Sequence, residues 1–199
     1  IPTLFAIVIH EVAHGWLAWK LGDDTAYVLG RLTLNPLKHI DLIGTIIVPI
    51  FLILTVGVAF GWAKPVPVNF QNLHHPRRDT ALVAAAGPFA NLLMAIGWTM
   101  LIKIIHLLPD GFEQLSTPLI YMGMFGLFIN MILMVFNLIP IPPADGGRIA
   151  TSLLPAPLGY QLSRLEPFGL IILLMLLLSG ILWSLFDMVN QFILQLIKF

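Results

Sequence analysis

The sequence predicts an all-α polytopic membrane protein of about five to six transmembrane or re-entrant helices, with short membrane-associated β-strands between the first helices. Three observations lead there. Apolar residues make up 58% of the 199 and charged residues only 10%, against about 25% charged in ordinary soluble domains. Mean hydropathy is +0.94. Uncharged windows close to the roughly 20 residues that a helix needs to cross a bilayer recur at 42–60, 80–102, 116–139 and 168–186, and 1–19 adds a fifth once its His and Glu are set aside. Five such windows in so short a chain leave too little polar surface for a soluble coat. Formal net charge is zero without a basic patch, which excludes nucleic acid as a partner. The absence of cysteine excludes disulfides and thiolate metal sites.

The elements follow in order. Tryptophans 16, 19, 62 and 183 lie near window ends, where interfacial aromatics gather. The chain starts at Ile1 rather than Met, so a preceding piece is expected to be missing, and 1–19 lacks a signal-peptide cleavage pattern. Residues 20–41 read KLGDDTAYVLGRLTLNPLKHID. Their β-branched, partly alternating middle, 26–34, sits between Gly-Asp-Asp and Asn-Pro turns and predicts a strand or hairpin. In 61–79, Pro65 and Pro67 forbid a helix and favour an extended edge segment. If 42–60 crosses fully, 61–79 lies opposite 20–41; a re-entrant hairpin around Pro49 keeps both on one side, and the reading leans to the hairpin. Lys64, Arg77, Arg78, Arg148 and Arg164 favour the cytoplasmic side for their loops. No repeat or linker divides the chain, so 1–199 is expected to form a single domain in the cell membrane. Small-residue faces in 84–97 and 123–126 permit close helix packing, within the chain or between copies.

The stretch IVIHEVAHGW, 7–16, sets His10, Glu11 and His14 in an otherwise apolar run. On a helix, residues four apart project from one face about 6 Å apart, so two imidazoles can grip one metal ion. Glu11 flanks that face and can reach a water on the metal without ligating it. This is the HExxH arrangement, in which zinc acidifies a water and the glutamate takes its proton. The plain alternative is an exposed helix face. Here, however, the motif lies about ten residues, thus about 15 Å, from the window's end, where ionisable groups mark a functional site. A catalytic zinc wants three protein ligands and a water. Asp145, in NLIPIPPADGGR after an apolar window, is the best remaining carboxylate. Prolines stiffen its approach, and Gly146–Gly147 allow a sharp turn. Taken alone, it reads more readily as an ordinary Asp-Gly turn.

These residues resemble the site-2 protease family of intramembrane zinc metallopeptidases. HEVAHGW is similar to that family's metal-binding helix, NLIPIPPADGGR to its second signature, and AAAGPFANLL to its Gly-Pro-x-x-Asn helix. NPLKHIDLIG and FGWAKPVPVN resemble stretches of a compact branch lacking PDZ or CBS domains. The likeness runs from about position 7 to 150. It implies one zinc per chain on His10, His14 and Asp145, with Glu11 as general base. Asn91 and Asn137 match asparagines of the later motifs and are implied to position the substrate backbone or the oxyanion. Leu42 stands where the branch often has Pro after the aspartate of a His-x-Asp motif, so His39 stays outside the ligand set, as a residue behind the ligands or at a gate.

The implied activity is hydrolysis of peptide bonds in or near transmembrane segments of membrane-anchored proteins or peptides. The active site is expected to be buried, nearer the cytoplasmic side. The segments 26–34 and 64–70 would either hold an unwound substrate by β-addition or simply cap the site against lipid. The rival reading is a polytopic metal-ion transporter, which calls for polar residues spread along a path, often with repeat symmetry. Here they concentrate in two motifs.

Overall fold

The computed structural model describes residues 1–57, 61–109 and 111–197, without the side chains of 183, 196 and 197. Trp183 as an interfacial anchor and the end of the 42–60 window therefore lie outside what is described. Every regular element among the described residues is helical.

Helix α1, Pro2–Lys20, opens with proline at its first turn, where the missing N–H costs nothing. It stops at Gly22, whose φ of 112° favours glycine. Asp23 then takes the backbone N–H and hydroxyl of Thr25 and starts the one-turn helix α2, Thr25–Val28. Asp41 caps a wide helical stretch, Leu42–Ile47, by accepting from the Gly44 N–H. That stretch continues into α3, Val48–Val56, which ends at Gly57 with φ of 73°. The chain then returns. Trp62 N–H donates to the Gly44 carbonyl at 3.0 Å and Lys64 N–H to the His39 carbonyl at 2.9 Å. Residues 61–69 run back extended toward α1.

Helix α4, Pro76–Ile105, has 30 residues and is the hub. It packs against α1, against α5, Glu113–Asn137, and against α6, Asp145–Leu153. It runs antiparallel to α5: Ile102 meets Gly123, Trp98 meets Gly126, and Asn91 bonds Asn130. The absence of side chains at Gly123 and Gly126 lets the two backbones approach. Helices α7, Ala156–Ser163, α8, Glu166–Leu178, and α9, Ile181–Ile197, complete the chain. One apolar core joins Ala95, Ile102, Leu127, Met131, Val189 and Ile193; another joins Ala18, Leu73 and Val83.

One expectation is corrected and one is met in part. The strands predicted for 26–34 and 64–70 are not formed among the described residues. Thr25–Val28 winds into a turn around Asp23, and Pro65 and Pro67 have no N–H to donate to a ladder. The five to six transmembrane or re-entrant helices expected are matched in part. By length and apolarity α4 and α5 can cross a bilayer, and α7 with α8 reach the length but bend by 67°. The 42–60 window yields an apolar helix of only Leu42–Val56, and the 168–186 window is interrupted at Gly180, φ 86°, between α8 and α9.

Candidate metal centre

Helix α1 presents His10 and His14 on one face, as their spacing requires. Their rings meet edge to face with centroids 4.6 Å apart, and their Nε2 atoms lie 3.0 Å apart. Each ring is held from behind. His14 Nδ1 lies 2.7 Å from the Val83 carbonyl, which only accepts, so Nδ1 carries a proton and the neutral ring has its lone pair on Nε2. His10 Nδ1 donates to Asn91 Oδ1 at 2.6 Å. The Asn91 orientation is consistent, because its amide N–H groups donate to the Ala6 carbonyl and to Asn130 Oδ1. Asn130 in turn donates to the Gly126 carbonyl.

Asp145 closes the set from the first turn of α6. Its Oδ2 lies 3.2 Å from His10 Nε2 and 3.3 Å from His14 Nε2. The three side chains are only 9%, 12% and 13% exposed. The glycines after Asp145 serve differently from expectation. Neither has a positive φ. A Cβ on Gly146 would run into the Leu138 carbonyl, and one on Gly147 into Pro142. They let α6 start hard against the preceding turn, which brings Asp145 inward.

Three oxygen or nitrogen lone pairs thus converge within 3.3 Å, and Oδ2 of Asp145 is buried without a hydrogen-bond donor among the described residues. Such a cluster is self-repelling unless a cation or added protons sit in it. His10, His14 and Asp145 form a group whose ligand atoms can all reach one metal ion. The helix opposite leaves room as well. A Cβ on Gly87 of α4 would come within 2.6 Å of His10 Nε2 and closer still to His14 Nε2. The residues fit a metal of mixed imidazole and carboxylate preference.

Glu11 lies one residue away, and its Oε2 accepts the Val66 N–H at 2.7 Å. The other sequence candidates fall elsewhere. Asn91 is fully buried, and its amide is taken up by His10, Ala6 and Asn130 rather than open to a substrate. Asn137 is half-buried at the end of α5 and donates to the Leu133 carbonyl. His39 is buried with Nε2 on the Thr33 carbonyl and stands outside the metal-competent group. Sequence reasoning missed Asn130, the Val66 N–H and the role of Gly87. Gly87 stands in the Gly-Pro-x-x-Asn stretch AAAGPFANLL, and Asn130 had a signal as a polar side chain amid the apolar run 116–139.

Two imidazoles and a carboxylate converging beside a glutamate are the donor set of a metal-dependent hydrolase, here placed among helices of bilayer length. The comparisons agree. The family model described as peptidase family M50 matches residues 101–179. The chain is 39% identical to the Bacillus subtilis protein named "Putative zinc metalloprotease YwhC", over 98% of this chain and 89% of the relative. Rip2 of Mycobacterium tuberculosis strain H37Rv, named in the same terms, is 30% identical over 93% of this chain and 71% of its own. Rip2 of Mycolicibacterium smegmatis is 29% identical over 88% and 64%. No solved structure matches the chain. The chain belongs to peptidase family M50, and the resemblance read from the motifs stands.

Proposed function

We propose that the chain is a zinc endopeptidase that cleaves membrane-anchored proteins or peptides within or near their transmembrane segments. His10, His14 and Asp145 would hold one zinc, and Glu11 would be the general base. The observation that carries this reading is the convergence of His10 Nε2, His14 Nε2 and Asp145 Oδ2 within 3.3 Å, with both imidazoles held from behind and Gly87 leaving the space beside them. Bound there, zinc supplies the Lewis acidity that lowers the pKa of a water toward about 7.

The chain's own residues do the rest. Asn91, backed by Asn130, and the Val83 carbonyl keep both imidazoles in the tautomer that leaves Nε2 free, a support that ligating histidines regularly have. Glu11 takes the proton released by the attacking water and returns it to the nitrogen of the departing amine. The carbonyl carbon thereby exchanges its C–N bond for a C–O bond. Asn137, near the turn that leads to Asp145, would meet the substrate backbone. A substrate helix must first unwind, because its carbonyls are spent on intrahelical bonds, so targets with glycine or proline near the cut are favoured. The protein is a multi-pass membrane protein in this reading, with the arginine-bearing loops on the cytoplasmic side.

Glu11→Gln tests the assignment. Purified in detergent, the variant should keep one zinc per chain and lose cleavage of single-span peptides by about 10²-fold or more. Unchanged turnover would refute the role of Glu11, and wild-type protein without zinc would refute the centre.

A further inference from the structure

The extended run 61–69 spends its backbone in a way that a simple cover would not need. Lys64 N–H donates to the His39 carbonyl at 2.9 Å. The carbonyls of Lys64 and Pro65 both accept from Nη2 of Arg31, at 3.2 and 3.3 Å. Pro65 and Pro67 carry no N–H. The one N–H between them, that of Val66, goes to Glu11 Oε2 at 2.7 Å. The Val66 side chain is buried, and its Cγ1 sits in the notch left by Gly15, one helical turn beyond Glu11. Residues 64–66 are therefore registered against α1 twice, by a side chain in a notch and by a hydrogen bond to a carboxylate.

We infer that Arg31 is a positioning residue for the hydrolysis: by clamping the Lys64 and Pro65 carbonyls it aims the Val66 N–H at Glu11. The carboxylate is thereby held by one oxygen, and the other is left to exchange the proton. The inference rests on the reading of Glu11 as general base. A glutamate has three rotatable bonds, and a general base works only within hydrogen-bond reach of the proton it takes. A charge-assisted N–H···O bond of 2.7 Å restrains such a side chain firmly. Both bonds leave one nitrogen, Nη2, whose two N–H groups are fixed in the plane of the guanidinium, so the clamp is a rigid one. Its Nε is buried without a partner among the described residues, a cost accepted at a side chain held where its Nη2 is needed. The clamp also answers what 64–70 does in place of a strand. From Lys64 N–H to Val66 N–H its backbone groups face the protein, so this stretch offers no ladder to a substrate.

The test uses the full chain purified in detergent, with zinc content, kcat and KM measured on a single-span peptide. Arg31→Ala should keep one zinc per chain and a KM within about twofold of wild type, while kcat falls about 10–100-fold, the scale of a misplaced catalytic group. Val66→Pro, which removes the N–H, should fall about tenfold further in kcat than Val66→Ala, which retains it. Combining Arg31→Ala with Glu11→Gln should cost no more than Glu11→Gln alone, since both act on one step. A zinc-loaded Arg31→Ala with wild-type kcat overturns the inference, as does a loss carried by KM, which would mark 64–66 as a substrate contact. Should Val66→Pro not fold, Arg31→Ala decides. Full activity in Glu11→Gln would instead remove the general-base reading itself, so the two failures are told apart.

Discussion

At Gly87 a single hydrogen atom takes the place that any other residue would fill with carbon. The position faces both metal-competent imidazoles, so Gly87→Ala puts a methyl group between them. Most of the bound zinc should be lost in this variant while the helices stay formed, which metal analysis beside circular dichroism would check. Asn91 acts one bond further back. Asn91→Ala leaves His10 Nδ1 without its acceptor and frees the ring to rotate. Zinc affinity should weaken by about 10–100-fold, as measured by competition with a chelator. An unchanged affinity would mean that packing alone orients His10. The histidine pair was legible in the sequence because a spacing of four fixes a shared helix face. The partners of Nδ1 were not, because Val83 contributes a backbone carbonyl and Asn91 comes from 81 residues away.

Among the elements, the polar joint below α1 links what the sequence separates by some fifty residues. Asp23 is fully buried and accepts from Thr25, from the Asn69 N–H and from the Asn72 amide. Beside it, His74 N–H donates to the Leu21 carbonyl at 2.9 Å. Burial alone would raise the Asp23 pKa, but the Thr25, Asn69 and Asn72 donors outweigh it and hold the carboxyl below the ordinary carboxylate range. A carboxylate lowered on folding stabilises the fold in full above its unfolded value of about 3.9. That contribution is lost as pH falls from there through the folded value. Asp23→Asn should therefore be less stable than wild type at pH 7, with the difference shrinking as pH drops below about 4. Thermal unfolding in detergent across pH 3–7 would show it, and a constant difference would assign the loss to shape alone. The strand readings failed at this joint for the same reason. Asp23 captures Thr25 and Arg31 captures two carbonyls, and side-chain bonds of this kind outcompete a ladder.

For the whole molecule, the depth at which Asp145 meets the histidines depends on how often the chain crosses before it. The Gly44–Trp62 and His39–Lys64 bonds bring residues 62–64 back beside the start of the 42–56 helical stretch. Helix α4 then runs away from there and α5 runs back, which delivers 138–145 to α1 at the level of His10 and His14. The hairpin reading of 42–60 predicts one side for the loops that flank it. In a chain naturally free of cysteine, cysteines introduced at 30 and 72 should both react with an impermeant maleimide from the same face of sealed vesicles. Labelling from opposite faces would mean that 42–60 crosses the bilayer.

Composition and spacing alone determined the apolar class, the helical character and the paired imidazoles with their glutamate, because these depend on residues close in sequence and on periods of a few residues. Only the tertiary structure decided that Asp145 reaches both rings, that Gly87 leaves the space between them, and that Val66 holds Glu11. Each of those joins segments more than fifty residues apart, and no local pattern encodes the distance between two such segments once the chain has packed.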